Sequence, residues 1–125
     1  MESSKEKVAQ SYENLKIWQK AIALAEQIYT VTKKFPKEEI FGITSQIRRA
    51  VVSVSSNIAE GSSRSSKKDY CCFVDISLGS LKEVENLTII SVRLGYIDVN
   101  FSDKLLVEAT ELGKSLGGFR KYLLK

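Results

Sequence analysis

Apolar side chains recur along most of the chain at steps of three and four, the spacing that gathers them on one face of an α-helix. Between Leu15 and about Thr32 the positions Ile17/Trp18, Ala21/Ile22, Leu24/Ala25 and Ile28/Tyr29 make one wide stripe. Lys33 and Lys34 suit its C-terminal end, where the helix dipole favours cations, and Phe35-Pro36 stops it. A second stripe, Ile43, Ile47, Ala50/Val51, Val54 and Ile58, predicts a helix that begins between Glu39 and Thr44 and runs to about Glu60. Its β-branched valines would suit a strand, but alternation fails across Ala50-Val51-Val52 and the length favours a helix. Gly61 is expected to stop it, ahead of the loop Ser62-Ser63-Arg64-Ser65-Ser66.

Ser66-Lys67-Lys68-Asp69 then reads as a capping box. The third helix carries Tyr70, Phe73/Val74, Ser77/Leu78, Leu81, Val84, Thr88 and Val92, and ends at Leu94-Gly95, where Gly95 fits the left-handed C′ position. Gly79 and Ser80 interrupt it at a cost of about 1 kcal/mol for the glycine, which predicts a close helix–helix approach there. A fourth stripe, Phe101, Leu105, Ala109, Leu112, Leu116, Phe119 and Leu123, starts near Asn100 or Ser102. Four amphipathic helices with short connections predict an all-α, antiparallel up-down-up-down four-helix bundle over residues 14–125, preceded by a flexible N-terminal tail, 1–13.

Composition narrows the chemistry. The 125 residues include no histidine, one proline and two cysteines. Without histidine there is no Ser-His-Asp or Cys-His catalytic pair and no ordinary zinc finger, so the reading is of a protein that is not an enzyme. Cys71 and Cys72 are adjacent, a spacing that does not suit an internal disulfide within a helix, and they read as small core residues. Neither cofactor nor metal is implied, and no small-molecule substrate. The charged start of the chain does not resemble a signal peptide and no segment is apolar enough to span a membrane, so a cytoplasmic protein is expected.

Topology changes the meaning of the charge. Nineteen basic against fifteen acidic residues give only +4. Alternating helices, however, bring residues 1–20, 59–72 and 114–125 to one end, where they carry +6, against +1 at the other end and −3 between. Arg64, Lys67, Lys68, Arg120, Lys121 and Lys125 are the candidate phosphate contacts of this basic pole, with Tyr70 and Tyr122 placed to stack on bases. Lysines in loops and at helix ends also populate surfaces that bind nothing.

A second candidate lies in Gln46–Gly61. Arg49, Ser53, Asn57 and Glu60 step by four, four and three and form a polar stripe beside the apolar one. With Arg48, and with Glu83 and Glu85 as expected salt-bridge partners for the two arginines, the stripe reads as a contact to another helix or a second subunit. A ligand such as RNA is the alternative.

Several of these segments stand together in a recognisable order: Leu15-x-Ile17-Trp18-Gln19-x-Ala21, Phe35-Pro36-x-x-Glu39-x-Phe41-Gly42-Ile43, Gln46-Ile47-Arg48-Arg49-Ala50, Ser53, Asn57-Ile58-Ala59-Glu60-Gly61, Gly79-Ser80-Leu81-x-Glu83 and Leu94-Gly95-Tyr96. In this the chain resembles the bacterial four-helix-bundle family of 23S rRNA intervening-sequence proteins, from about Tyr12 to Lys125. Ile43 and Val54 stand where the pattern has leucine and isoleucine, and Cys71-Cys72 is outside it. The resemblance implies the same bundle, assembly into ring-shaped homopentamers and no enzymatic activity. It also implies a likeness to accessory proteins of diversity-generating retroelements, which are basic pentamers that bind a reverse transcriptase and nucleic acid. Two functions are therefore expected in turn: an oligomeric module bound to structured RNA such as rRNA, or a self-assembling scaffold that recruits a protein partner without touching nucleic acid.

Overall fold

In a computed structural model that describes residues 12–125, the four stripes become α1 (Lys16–Thr32), α2 (Ile43–Ser62), α3 (Lys67–Arg93) and α4 (Val99–Leu123). A single 3-10 turn, Lys37–Glu39, interrupts the connection from α1 to α2. Most of the expected tail, residues 1–11, lies outside the described residues; Tyr12 folds onto α1, its ring edge-on to that of Trp18 with centroids 5.4 Å apart.

Each helix packs on its neighbours in sequence, and α4 closes the square against α1. The interface between α2 and α3 is the most extensive and that between α4 and α1 the least. Along the first, Gly61 meets Tyr70, Val54 meets Ser77 and Ser53 meets Ser80, so one helix is read backwards as the other is read forwards. Tyr70 with Phe119 and Leu81 with Gly113 give the same order for α3 and α4. These pairings are those of antiparallel neighbours joined by short loops.

The predicted stripes converge on one core: Ala21, Leu24 and Ile28 from α1, Ile47, Val51, Val54 and Ile58 from α2, Val74, Leu81 and Val84 from α3, and Leu105, Ala109, Leu112 and Leu116 from α4. Burying each large aliphatic side chain stabilises by roughly 1.5–3 kcal/mol. Among the core polar groups, Ser77 donates to the Val54 carbonyl across the interface at 2.8 Å, and Thr88 and Ser91 donate to carbonyls one turn back, while the buried Thr44 hydroxyl has no partner among the described residues.

Helix ends follow the sequence closely. Ser66 caps α3, its hydroxyl accepting from the Asp69 N–H at 3.0 Å, although among the described residues Asp69 makes no return bond. Asp98 caps α4, which starts at Val99, one residue before the earlier of the two expected starts, and it accepts from the Asn100 and Phe101 N–H groups. At Gly95 (φ 81°) the Gly95 and Tyr96 N–H groups bond back to Val92 and Ser91, a Schellman stop that only a glycine adopts without strain.

Two glycines behave otherwise than expected. Gly61 does not end α2; it lies inside the helix and buried. A Cβ there would stand 2.6 Å from Tyr70 Cδ1 and 2.9 Å from Phe73 Cβ, so its absence is what lets α2 and α3 close together. Gly79, the expected point of close approach, is exposed, and a Cβ would meet nothing within 4 Å. The approach lies at one end of the pair, beside the short loop, because there the chain itself forces the helices together. Cys71 is buried as expected, but Cys72 is exposed; both thiols are free.

Gly61→Ala is expected to lower stability by roughly 1–3 kcal/mol through overpacking, while Gly79→Ala should raise it by about 0.5–1 kcal/mol through helix entropy alone. Urea denaturation of the two variants checks both; a Gly61→Ala protein as stable as the wild type would show that Tyr70 gives way at no cost.

Candidate functional site

The polar stripe of α2 divides between two neighbours. Successive residues on a helix are about 100° apart, and this sends Arg48 toward α1 and Arg49 toward the α3 side. Arg48 Nε donates to Thr32 Oγ1 at 2.8 Å and Nη2 to the Tyr29 carbonyl at 3.5 Å, with the guanidinium 4.7 Å over the Tyr29 ring. It thus supplies the cation that the last turn of α1 lacks, against the negative end of that helix. Arg49 lines an open groove between α2 and α3 with Gln46, Ser53, Ser80 and Glu83. Arg49 and Glu83 share this groove without forming an ion pair among the described residues, and Glu85 pairs instead with Lys82 at 3.1 Å. The expected bridges from Arg48 or Arg49 to Glu83 or Glu85 are therefore not formed.

The centre of the stripe is an interhelical contact. The Ser53 and Ser80 hydroxyls meet at 2.8 Å, and Asn57 Nδ2 donates to the Ser53 carbonyl at 2.8 Å and its Oγ at 3.0 Å. Ser80, expected as an interruption of α3 and part of the Gly79-Ser80-Leu81-x-Glu83 motif, is the partner that completes it. Glu60 turns away and pairs with Arg64, at 3.0 Å.

At the end formed by the α2–α3 loop and the C-terminus, aromatic rings hold the helices together. Tyr70 packs edge-on against Phe119 at 5.1 Å, and Phe119 stacks on Tyr122 at 6.1 Å. Burial pushes the Tyr70 phenol above its ordinary pKa, and its buried hydroxyl has no hydrogen-bond partner among the described residues. Tyr70 is thus part of the packing and not a surface on which a base could stack; Tyr122 is 58 % exposed.

Six basic residues cluster at this end, and they differ in how they are held. Arg64 is bound to Glu60 and its guanidinium lies 4.5 Å over the Phe73 ring. Arg120 is bound to Asp75 on α3 by Nε at 2.6 Å and Nη2 at 3.4 Å, and this bond raises its pKa further above the ordinary arginine value. Lys67 lies 5.5 Å over the Tyr122 ring. Lys67, Lys68, Lys121 and Lys125 are exposed and form no ion pair among the described residues.

The opposite end is tied by Glu39. The Ile43 N–H donates to its Oε1 at 3.3 Å, so the carboxylate stands at the positive end of α2. The Tyr96 hydroxyl donates to Oε2 at 2.8 Å, joining the α3–α4 connection to the α1–α2 connection, and the Phe35 ring lies 5.3 Å from that of Tyr96. A Cβ at Gly42 would stand 2.5 Å from Oε1, so any side chain there would push the Glu39 carboxylate away from the Ile43 N–H. Among the described residues, no three His, Cys, Asp or Glu side chains come together as a metal ion would require, and no helix is long and apolar enough to cross a membrane.

With this geometry in hand, comparison with known proteins is decisive for lineage. The family model of the 23S rRNA-intervening sequence protein matches residues 13–118. The chain belongs to this family. A crystal structure of a protein of unknown function from the S23 ribosomal protein family of Bacteroides thetaiotaomicron VPI-5482 has the same fold, with a TM-score of 0.78 and 24 % identity. The match covers 84 % of this chain and 98 % of that one. No curated protein matches. In this intervening-sequence family member, several of the residues that carried the resemblance belong to the core, as Ile17, Ala21 and Ile47 do, and others form two polar or close-packed groups. Ser53, Asn57, Gly61 and Ser80 form the seam between α2 and α3, and Glu39, Gly42, Gly95 and Tyr96 tie the two connections at one end.

The Glu39 hydrogen bond, burial and the charges of Glu39 and Glu38 all push the Tyr96 phenol above its ordinary value of 10.0. The folded protein then holds this proton to higher pH than the unfolded chain, so the link stabilises fully below pH 10.0 and is lost as pH rises through the raised value. Tyr96→Phe should therefore be less stable than the wild type at neutral pH, with the gap closing in strongly alkaline buffer. Denaturation curves at both pH values check this, and a gap unchanged with pH would exclude the link.

Proposed function

We propose that this protein is a non-catalytic, self-assembling helical module of the cytoplasm that docks structured RNA, such as rRNA, through its lysine-rich end. The observation that carries the reading is the state of the basic residues there. The two arginines are engaged by carboxylates of their own chain, at 3.0 and 2.6 Å, while Lys67, Lys68, Lys121 and Lys125 keep exposed ammonium groups. Ammonium groups on flexible stems contact phosphates as point charges and read no base sequence. Such contacts suit recognition by backbone and shape, the mode by which folded RNA is bound. Membership of a family named for intervening sequences of 23S rRNA supports the same ligand class. Assembly would repeat the lysine end several times and raise affinity by avidity without any new contact.

A second reading, a scaffold that recruits a protein partner, is favoured by one observation: Arg49 and Glu83 line an open groove without pairing to each other.

Binding of a labelled rRNA fragment should weaken steeply with salt. Lys67→Glu with Lys68→Glu should lower the slope of log affinity against log salt by roughly 1 per lysine, with helical content and assembly unchanged. Arg64→Ala, which removes an internally paired charge, should have the smaller effect. Absence of any RNA shift at low salt would overturn the RNA reading and leave the scaffold.

A further inference from the structure

Among the described residues, three aromatic rings lie under a cation, and the three cations are held differently. Arg48 over Tyr29 is fixed by its hydrogen bonds to Thr32 Oγ1 and the Tyr29 carbonyl. Arg64 over Phe73 is fixed by its ion pair with Glu60. Lys67 lies over Tyr122, its ammonium 5.5 Å from the ring centroid, and is exposed with no ion pair among the described residues.

The ring beneath Lys67 is held more firmly than the cation above it. Tyr122 stacks on Phe119, and Phe119 packs edge-on against Tyr70, so the three rings form a row that runs outward from the buried Tyr70 hydroxyl. Tyr122 is the outermost and the most exposed of the three. From Lys114 to Lys125 there is no acidic residue, and Lys121 and Lys125 flank the ring in sequence. A fixed, exposed ring among unpaired ammonium groups is the combination that holds unpaired nucleotides: the charges follow the backbone while the ring receives a base.

We infer that Tyr122 is a stacking platform for one unpaired base, and that Lys67 leaves the ring for a phosphate of the same strand as the base arrives. This rests on the RNA docking proposed above and names the part of the RNA that is taken: a loop, a bulge or an end, not continuous duplex. Inside a duplex both faces of each base are covered by its neighbours, so the ring has nothing to receive. The exchange needs a cation that can let go. A cation–π contact at an exposed site is weak, so Lys67 moves at little cost, whereas a guanidinium tied as Arg48 or Arg64 is would stay and block the ring. Every base has a π-face, so the platform selects unpaired nucleotides without selecting sequence.

Two labelled duplex RNAs that differ only in an internal bulge of unpaired nucleotides test this, with the full chain at one low salt concentration. The wild type should bind the bulged RNA more tightly. Tyr122→Ser should lower that affinity roughly tenfold and leave binding of the continuous duplex unchanged, while Tyr122→Phe, which keeps the ring, should match the wild type on both. A fluorescent adenine analogue in the bulge should be quenched by the wild type and by Tyr122→Phe, but not by Tyr122→Ser. Circular dichroism checks that each variant keeps its helical content. Absence of binding to either RNA would overturn the docking and the platform with it. Binding of both RNAs that Tyr122→Ser leaves unchanged, or lowers equally, would overturn the platform and leave the docking standing. Wild-type binding of the bulged RNA without quenching would overturn the platform whatever the variants do.

Discussion

The approach of α2 to α3 is the constraint on which the remaining structure depends. Ala50, Val54, Asn57 and Gly61 step by four, three and four along α2, and small or short side chains at such spacing let two helix backbones come close. Gly61 against Tyr70 and Phe73 fixes the separation at one end. Register is fixed by polar groups within the interface. Ser77 is fully buried and, among the described residues, its hydroxyl is satisfied by the Val54 carbonyl across the interface alone. A one-residue slide of α3 would rotate that hydroxyl by about 100° and leave it unpaired in the core, at a cost of roughly 1–3 kcal/mol. The Ser53–Ser80–Asn57 bonds repeat the restraint at the interface edge.

Once that register is set, the ends of the bundle follow. The four residues between α2 and α3 leave no freedom in where Tyr70 lands, and Tyr70 receives Phe119, which in turn carries Tyr122. The last turn of α4 is thereby placed beside the first turn of α3, with Lys67 over the Tyr122 ring. The charge gathered at this end is a product of packing as much as of composition. Its two arginines lie close enough to Glu60 and Asp75 to be engaged inside the chain, and its lysines do not.

Helix positions were legible in the sequence because a 3.6-residue period over seventeen or more residues has no competing explanation, and Ser66, Gly95 and Pro36 act within one turn of themselves. The glycines were not legible. Gly61 and Gly79 both interrupt a helical pattern, and only the neighbouring helix decides which one is a contact and which one is open space. The arginines were half legible: their polar stripe was evident, but a single residue's rotation sends Arg48 to Thr32 and Arg49 to the opposite groove. Pairings such as Arg120 with Asp75 and Tyr96 with Glu39 join residues 45 and 57 positions apart, where periodicity carries no information. The candidate phosphate contacts were therefore found as a set, while the division between engaged arginines and open lysines needed the fold.

The two ends of the bundle are finished in opposite ways, and this bears on assembly. At the lysine end the aromatic residues Tyr70, Phe73 and Phe119 are turned inward and the charge remains outside. At the other end Glu39 and Arg48 are turned onto α2, Tyr96 and α1, and the apolar groups Ile40, Phe41 and Leu94 remain outside. A chain with unlike ends would gain or lose multivalency according to the symmetry of any assembly it entered. A two-fold axis across the bundle would send the lysine ends in opposite directions, so one polyanion could not reach both at once. Rotation about an axis along the bundle keeps every lysine end on one side, and only then does effective concentration act on a single RNA. Contacts between side faces, at matched heights, are the ones that would preserve this polarity in any assembly that presents its lysine ends to one polyanion.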